Sequence, residues 1–172
     1  MRFPSGSRER PTSDFLRESL FNLLGSLENK SFLDLFAGSG SVGLEAASRD
    51  AQEIFFVEKD KRLVEIIKNN IPDCCGHKNY RIVAADVEKA LKDLYKKECR
   101  FDIVFADPPY NRNLVNKTLE LLKKYPIFKE EHLIVIQHSV KENLLDALVD
   151  NIRLKDQRKY GENVLTFLKM EN

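Results

Sequence analysis

Short, nearly continuous apolar runs alternate along the chain with stretches whose apolar residues recur every three or four positions. The runs at 31–37, 53–57, 80–85, 101–106 and 132–137 predict strands. Between them, helical spacing predicts helices at 41–48, at 61–71 behind a capping Asp60 and stopped before Pro72, at 87–94, at 114–122 and at 140–149. Upstream, Thr12-Ser13-Asp14 supplies a helix start, followed by Phe15, Leu16, Leu20, Leu23, Leu24 and Leu27, with Gly25 weakening the last turn. Downstream the alternation breaks. Residues 152–159 and 164–168 read as two strands joined at Tyr160-Gly161-Glu162-Asn163, a hairpin signal.

Five strand–helix units imply a parallel sheet covered by helices on both faces, because right-handed crossovers place helices above and below it. The closing hairpin adds an antiparallel edge and brings the sheet to seven strands. Strands buried on both faces explain why the runs are apolar throughout rather than alternating. With 172 residues and no linker, repeat or second composition regime, a single domain is expected. It divides into an N-terminal segment and helix (1–30), an alternating core (31–150) and the hairpin (151–172).

Two motifs lie at predicted strand C-terminal ends, the edge where open α/β sheets bind ligands. In the first, Phe32-Leu33-Asp34-Leu35-Phe36-Ala37 runs into Gly38, Gly40 and Gly43, which satisfy G-x-G-x-x-G between a strand and a helix. Glu58 ends the next strand, 20 residues beyond Gly38, where a carboxylate accepts hydrogen bonds from ribose hydroxyls. Asp86 follows the third strand and offers an acceptor for an adenine amino group. Asp34, four residues before Gly38, disfavours a pyrophosphate and suits a ligand bearing an ammonium. S-adenosylmethionine meets all three conditions better than a dinucleotide does. Each acid also has a purely structural reading, as a cap or as a partner for a neighbouring lysine. Their joint placement at one sheet edge favours the ligand.

The second motif is Asp107-Pro108-Pro109-Tyr110, directly after the run 101–106. Proline pairs often merely end a strand. Here the stiff turn presents a carboxylate, a free Pro108 carbonyl and a flat ring, which together grip a planar base carrying an exocyclic amine. That is the requirement for methylating a base nitrogen.

Composition narrows the setting. A formal net charge of +1 does not announce a nucleic-acid binder, so a local patch must carry that role. Arg2, Arg8 and Arg10 near the start, and Arg153, Lys155, Arg158 and Lys159 near the end, are the candidates, although such runs are more often solvated faces. Cys74, Cys75 and Cys99 make neither a metal-ligand spacing nor a disulfide framework, and His77, His132 and His138 add no zinc spacing, so no metal is expected and a reducing cytoplasm is. No apolar run approaches the roughly 20 residues that span a bilayer, and the N-terminus does not read as a signal peptide.

Taken together, Arg10-Pro11-Thr12-Ser13-Asp14, Arg17-Glu18-Ser19-Leu20-Phe21-Asn22, Asp34-Leu35-Phe36-Ala37-Gly38-Ser39-Gly40, Asp107-Pro108-Pro109-Tyr110 and the closing Lys159-Tyr160-Gly161 with Val164-Leu165-Thr166 resemble the bacterial 16S ribosomal RNA guanine-N2 methyltransferase D family. The resemblance covers residues 4–169. It implies a Rossmann-like class I methyltransferase fold, with Asp34, Phe36, Gly38, Gly40, Glu58 and Asp86 around S-adenosylmethionine and Thr12 near its methionine end. It further implies that Asp107, Pro108, Pro109 and Tyr110 form the catalytic turn facing the guanine. The implied substrate is one guanine of 16S ribosomal RNA in a small-subunit assembly intermediate, acted on by a monomer. Two departures stand out. Only nine residues precede Arg10, where family members carry a longer basic hairpin, and Gln137 stands where an acid is expected. The rivals are a DNA adenine-N6 methyltransferase, a protein glutamine methyltransferase (disfavoured because that group carries asparagine in place of Asp107), an NAD-binding oxidoreductase and a non-catalytic RNA-binding assembly module.

Overall fold

The computed structural model describes residues 11–75, 79–110, 113–142, 144 and 151–171, the first three and last four residues of the first stretch by backbone alone. Arg2, Arg8 and Arg10 lie outside the described residues, as does most of the helix expected at 140–149. Its first positions, Val140 to Glu142, form a turn and bend rather than a helix.

Elements follow in the order α1 (Pro11–Leu24), β1 (Ser31–Leu35), α2 (Ser41–Ser48), β2 (Glu53–Val57), α3 (Lys61–Cys75), β3 (Asn79–Val83), α4 (Val87–Lys96), β4 (Phe101–Ala106), α5 (Leu114–Lys124), β5 (Phe128–Ser139), β6 (Ile152–Tyr160) and β7 (Asn163–Met170). The seven strands form one sheet in the order β3-β2-β1-β4-β5-β7-β6. β1 to β5 pair in parallel, and β7 is antiparallel to both β5 and β6. The fold is thus the mostly parallel α/β sheet with a closing hairpin, β7 being inserted between β5 and the edge strand β6.

The two-residue period of the strands sorts the core into two layers. Leu33, Leu35, Phe55, Val57, Val104 and Ala106 face α4 and α5, meeting Ala90, Leu91, Leu94, Leu119 and Leu122. Phe32, Ile54, Phe56, Ile103 and Phe105 face α1, α2 and α3, meeting Leu16, Leu20, Leu44, Ala47 and Ile67. Every residue of β1 and of β4 is buried, as expected of strands covered on both faces.

Several boundaries differ from the sequence expectation, among them β3 at Asn79–Val83 rather than 80–85 and β5 at Phe128–Ser139 rather than 132–137. Three of the differences have a local cause. α1 stops at Leu24, where Gly25 takes φ +69° and its N–H bonds to the Phe21 carbonyl at 3.2 Å. Leu27 therefore lies beyond the helix, yet it is fully buried in the α1 layer. β1 ends two residues early because Phe36 turns the chain with φ +66°. α3 runs through Pro72 to Cys75. Proline there removes one backbone hydrogen bond, a loss set against the burial of Ile67 and Ile71 on the same helix. Among the described residues, no helix is long and apolar enough to cross a membrane.

Candidate active site

The C-terminal ends of β1, β2 and β4 and the start of α4 surround a cavity of about 680 Å3. Phe36, Gly38, Glu58, Asp86, Asp107 and Pro109 all line it, so residues from both sequence motifs share one space. Leu63, Leu114 and Leu121 supply an apolar wall, and Lys59, Asp60 and Lys117 a polar rim, none of which carries a sequence motif.

The loop after β1 is shaped by left-handed backbone. Phe36, Gly38 and Gly40 take φ values of +66°, +58° and +83°. For a bulky residue such as Phe36 that conformation is strained, and strain of this kind accumulates where a chain grips a ligand. The Ala37 N–H donates to the Val57 carbonyl at 2.9 Å, and the Gly40 N–H to the Ala37 carbonyl at 2.7 Å. A Cβ on Gly38 would meet nothing within 4 Å. On Gly40 it would meet Ile67 at 3.0 Å, and on Gly43 it would lie 2.3 Å from the Phe56 ring. Gly40 and Gly43 are therefore small because the loop packs on α3 and β2, whereas the cavity wall belongs to Gly38.

Glu58 ties two loops together. One carboxylate oxygen accepts from the Gly38 N–H at 2.8 Å and the other from the Asp60 N–H at 2.8 Å, while each oxygen keeps a second lone pair. Asp86 caps α4, accepting from the Lys89 N–H at 2.9 Å, and remains solvent-exposed beside the cavity. The capping role and a ligand role coexist on one side chain, since the cap uses Oδ1 alone.

Asp34 lies beneath the cavity rather than on its wall. It is buried on the α2 side of β1, and its Oδ2 accepts from the Gly43 N–H at 2.9 Å. Burial pushes its carboxyl up to about 8, the Gly43 bond opposes that, and the nearby charges of Asp107 and Glu58 raise it further. Asp107, directly after β4, is pushed up to about 7 by burial first and by the charge of Glu142 second. A cation bound beside these two carboxyls would lower both, so its binding is coupled to their ionisation.

Pro108 is buried, and Tyr110 is 37% exposed and does not line the cavity. The Tyr110 hydroxyl donates to Oδ1 of Asn163 at 2.8 Å and accepts from Nε2 of Gln137 at 3.1 Å. Sequence reasoning missed Asn163, and it noticed Gln137 only as a departure. Glu142 was missed altogether. Thr12 belongs to the first turn of α1, described by backbone alone.

Three comparisons place this geometry among known proteins. The family model described as conserved hypothetical protein 95 matches residues 1–169. The chain is 36% identical over 161 residues to ribosomal RNA small subunit methyltransferase D of Escherichia coli K12, covering 92% of this chain and 78% of that protein. It is 35% identical over 130 residues to the Haemophilus influenzae protein of the same name, covering 74% and 67%. Among solved structures, a hypothetical protein of Thermus thermophilus superposes with a TM-score of 0.79 at 32% identity, covering 99% of this chain and 92% of that one. SMU.776, solved as a complex with SAH, shares the fold at 19% identity and a TM-score of 0.75, covering 92% and 49%.

Proposed function

The chain belongs to the ribosomal RNA small subunit methyltransferase D family, and from that premise we propose that it methylates the exocyclic N2 of a guanine in 16S ribosomal RNA. It is an rRNA methyltransferase, and its cofactor is S-adenosylmethionine. The observation that carries the guanine reading is that Asp107 and Pro109 of the diproline turn line the same cavity as Gly38, Glu58 and Asp86.

The residues present fit the cofactor. Glu58 and Asp86 supply acceptors for its ribose and adenine, and Asp34, buried beneath the loop, supplies negative charge toward its cationic end once ionised, which the cation itself favours. When bound, the cofactor provides an electrophilic methyl on a sulfonium. The rest is the chain's work. The guanine amine has its lone pair delocalised into the ring and is poorly nucleophilic. Accepting its N–H groups on the Asp107 carboxylate and the Pro108 carbonyl turns that lone pair outward and stabilises positive charge as it develops. Asp107 has no need to take the proton before attack. Stacking on Tyr110 holds the ring, at roughly 1–3 kcal/mol per base. The target base must be unpaired or flipped to enter.

A net charge of +1 supports a substrate already carrying ribosomal proteins, because phosphate neutralisation dominates affinity for naked RNA. We place the protein as a monomer on a small-subunit assembly intermediate. Labelled methyl transfer to naked 16S RNA, to small subunits and to DNA tests the reading. Label on guanine N2 in small subunits is expected. Label on adenine of DNA, or none on any substrate, overturns it.

A further inference from the structure

The phenol of Tyr110 is held from two strands that meet only in the folded sheet. Gln137 lies on β5 and Asn163 opens β7, where Asn163 pairs with Ser139 of β5 and with Tyr160 of β6. The hydroxyl therefore joins the catalytic turn both to the central sheet and to the closing hairpin. Its two bonds have opposite sense, one donated and one accepted, and so use the donor and one acceptor site of the phenol.

Resting on the reading above, we propose that Gln137 and Asn163 are positioning residues that lock the Tyr110 ring as a preformed platform for the target base. Tyr110 sits in a turn outside any regular element, where a free aromatic side chain samples several rotamers. Fixing it before substrate arrives removes that ordering cost from the encounter and sets the ring at one distance from the Asp107 carboxylate. The departure at position 137 then has a physical reason. The hydroxyl proton is committed to Asn163, so the other side chain must be a donor. An amide provides one; a carboxylate does not, and it would add a further negative charge to a margin already holding Asp107 and Glu142. Burial and the Asp107 charge also raise the Tyr110 phenol above its ordinary range, which keeps the donated proton in place under alkaline conditions. A ring-only platform would need no hydroxyl. On the proposal the hydroxyl matters as much as the face.

The test is a double-mutant cycle on the full chain acting on small ribosomal subunits. Gln137→Met, Asn163→Ala and Tyr110→Phe should each lower kcat about tenfold with KM for S-adenosylmethionine unchanged. Gln137→Met in a Tyr110→Phe background should add nothing, because the shared hydroxyl is already gone. In parallel, NMR of ring-labelled tyrosine should show faster Tyr110 ring flips in Gln137→Met than in wild type. Full additivity of the two substitutions, or unchanged ring dynamics, overturns the positioning assignment. Absence of transfer by the wild type instead overturns the substrate reading, and the ring-flip measurement still decides the clamp.

Discussion

Asp102 and Asp107 lie five residues apart near opposite ends of β4, and the two ends treat a carboxylate in opposite ways. Oδ2 of Asp102 accepts from the Ser31 N–H and hydroxyl, both at 2.8 Å, and from Lys129 Nζ at 2.7 Å. Those partners outweigh its burial and hold its carboxyl below the usual range. Asp107 is raised to about 7, with burial and the Glu142 charge acting in the same direction. A carboxylate with its partners built in is a structural tie. One half-buried at a cavity wall beside a like charge, just past the same strand, is on our proposal the one that meets a ligand. The difference lies in the neighbours, since both residues are aspartate.

The comparison breaks first at its functional end. Asp107→Ala should cost about 10²–10³-fold in kcat while leaving cofactor affinity, read by calorimetry, nearly unchanged. Asp102→Ala should do the reverse: a loss of about 2 kcal/mol in a denaturant melt with kcat per folded molecule preserved. Near-wild-type turnover in the first variant, or normal stability in the second, would erase the contrast between the two ends.

Next in size is the pH dependence. Both raised acids must ionise, Asp34 near 8 and Asp107 near 7, before the pocket carries its full negative charge. Hence kcat/KM should fall as pH drops below 8, approaching a limiting slope of two below 7. Asn at position 34 still accepts the Gly43 N–H, so Asp34→Asn should reduce that slope to one and weaken the cofactor about tenfold to a hundredfold. The stability sign is opposite. A carboxyl raised on folding contributes stability that is present below its unfolded value near 3.8 and is lost as pH rises through its folded value. Asp34→Asn should therefore raise Tm of the cofactor-free protein at pH 9 and do little at pH 4. A flat activity profile between pH 6 and 9 would remove these acids from the mechanism.

The smallest effects separate two glycines of one loop. Gly43→Ala forces a methyl to within 2.3 Å of Phe56 and should destabilise by roughly 1–3 kcal/mol. Gly38→Ala meets no atom within 4 Å and suffers only its left-handed φ of +58°, about 1–2 kcal/mol. Any loss of cofactor binding beyond the loss of stability should appear at Gly38, which lines the cavity, and not at Gly43.

Periodicity made most of the scaffold legible. The expected boundaries of α2, β2 and β4 match the observed Ser41–Ser48, Glu53–Val57 and Phe101–Ala106, because both faces of those strands are covered and the apolar pattern has no other use. Misreadings fell where a local rule met a tertiary one. Helical spacing continued past Gly25 to Leu27, but a left-handed glycine ended the helix and left Leu27 to be buried from a loop. Pro72 should have stopped α3, but the helix passes through it.

For the site, the chain order of residue types was enough to propose a glycine loop, a row of strand-end acids and a diproline turn, since each is a local feature tied to a strand end. What the order of residues could not contain is the field around each side chain. Asp34 and Asp102 occur in equally apolar strands, yet folding buries one over a single Gly43 N–H and surrounds the other with Ser31 and Lys129. Likewise, 26 residues separate Gln137 from Asn163, and only the pairing of β5 with β7 brings both amides to the Tyr110 hydroxyl. Covalent order dictates periodicity and turn chemistry because those act within a few residues. Burial, charge environment and cross-strand hydrogen bonds depend on neighbours distant in the chain, and these the tertiary structure alone decided.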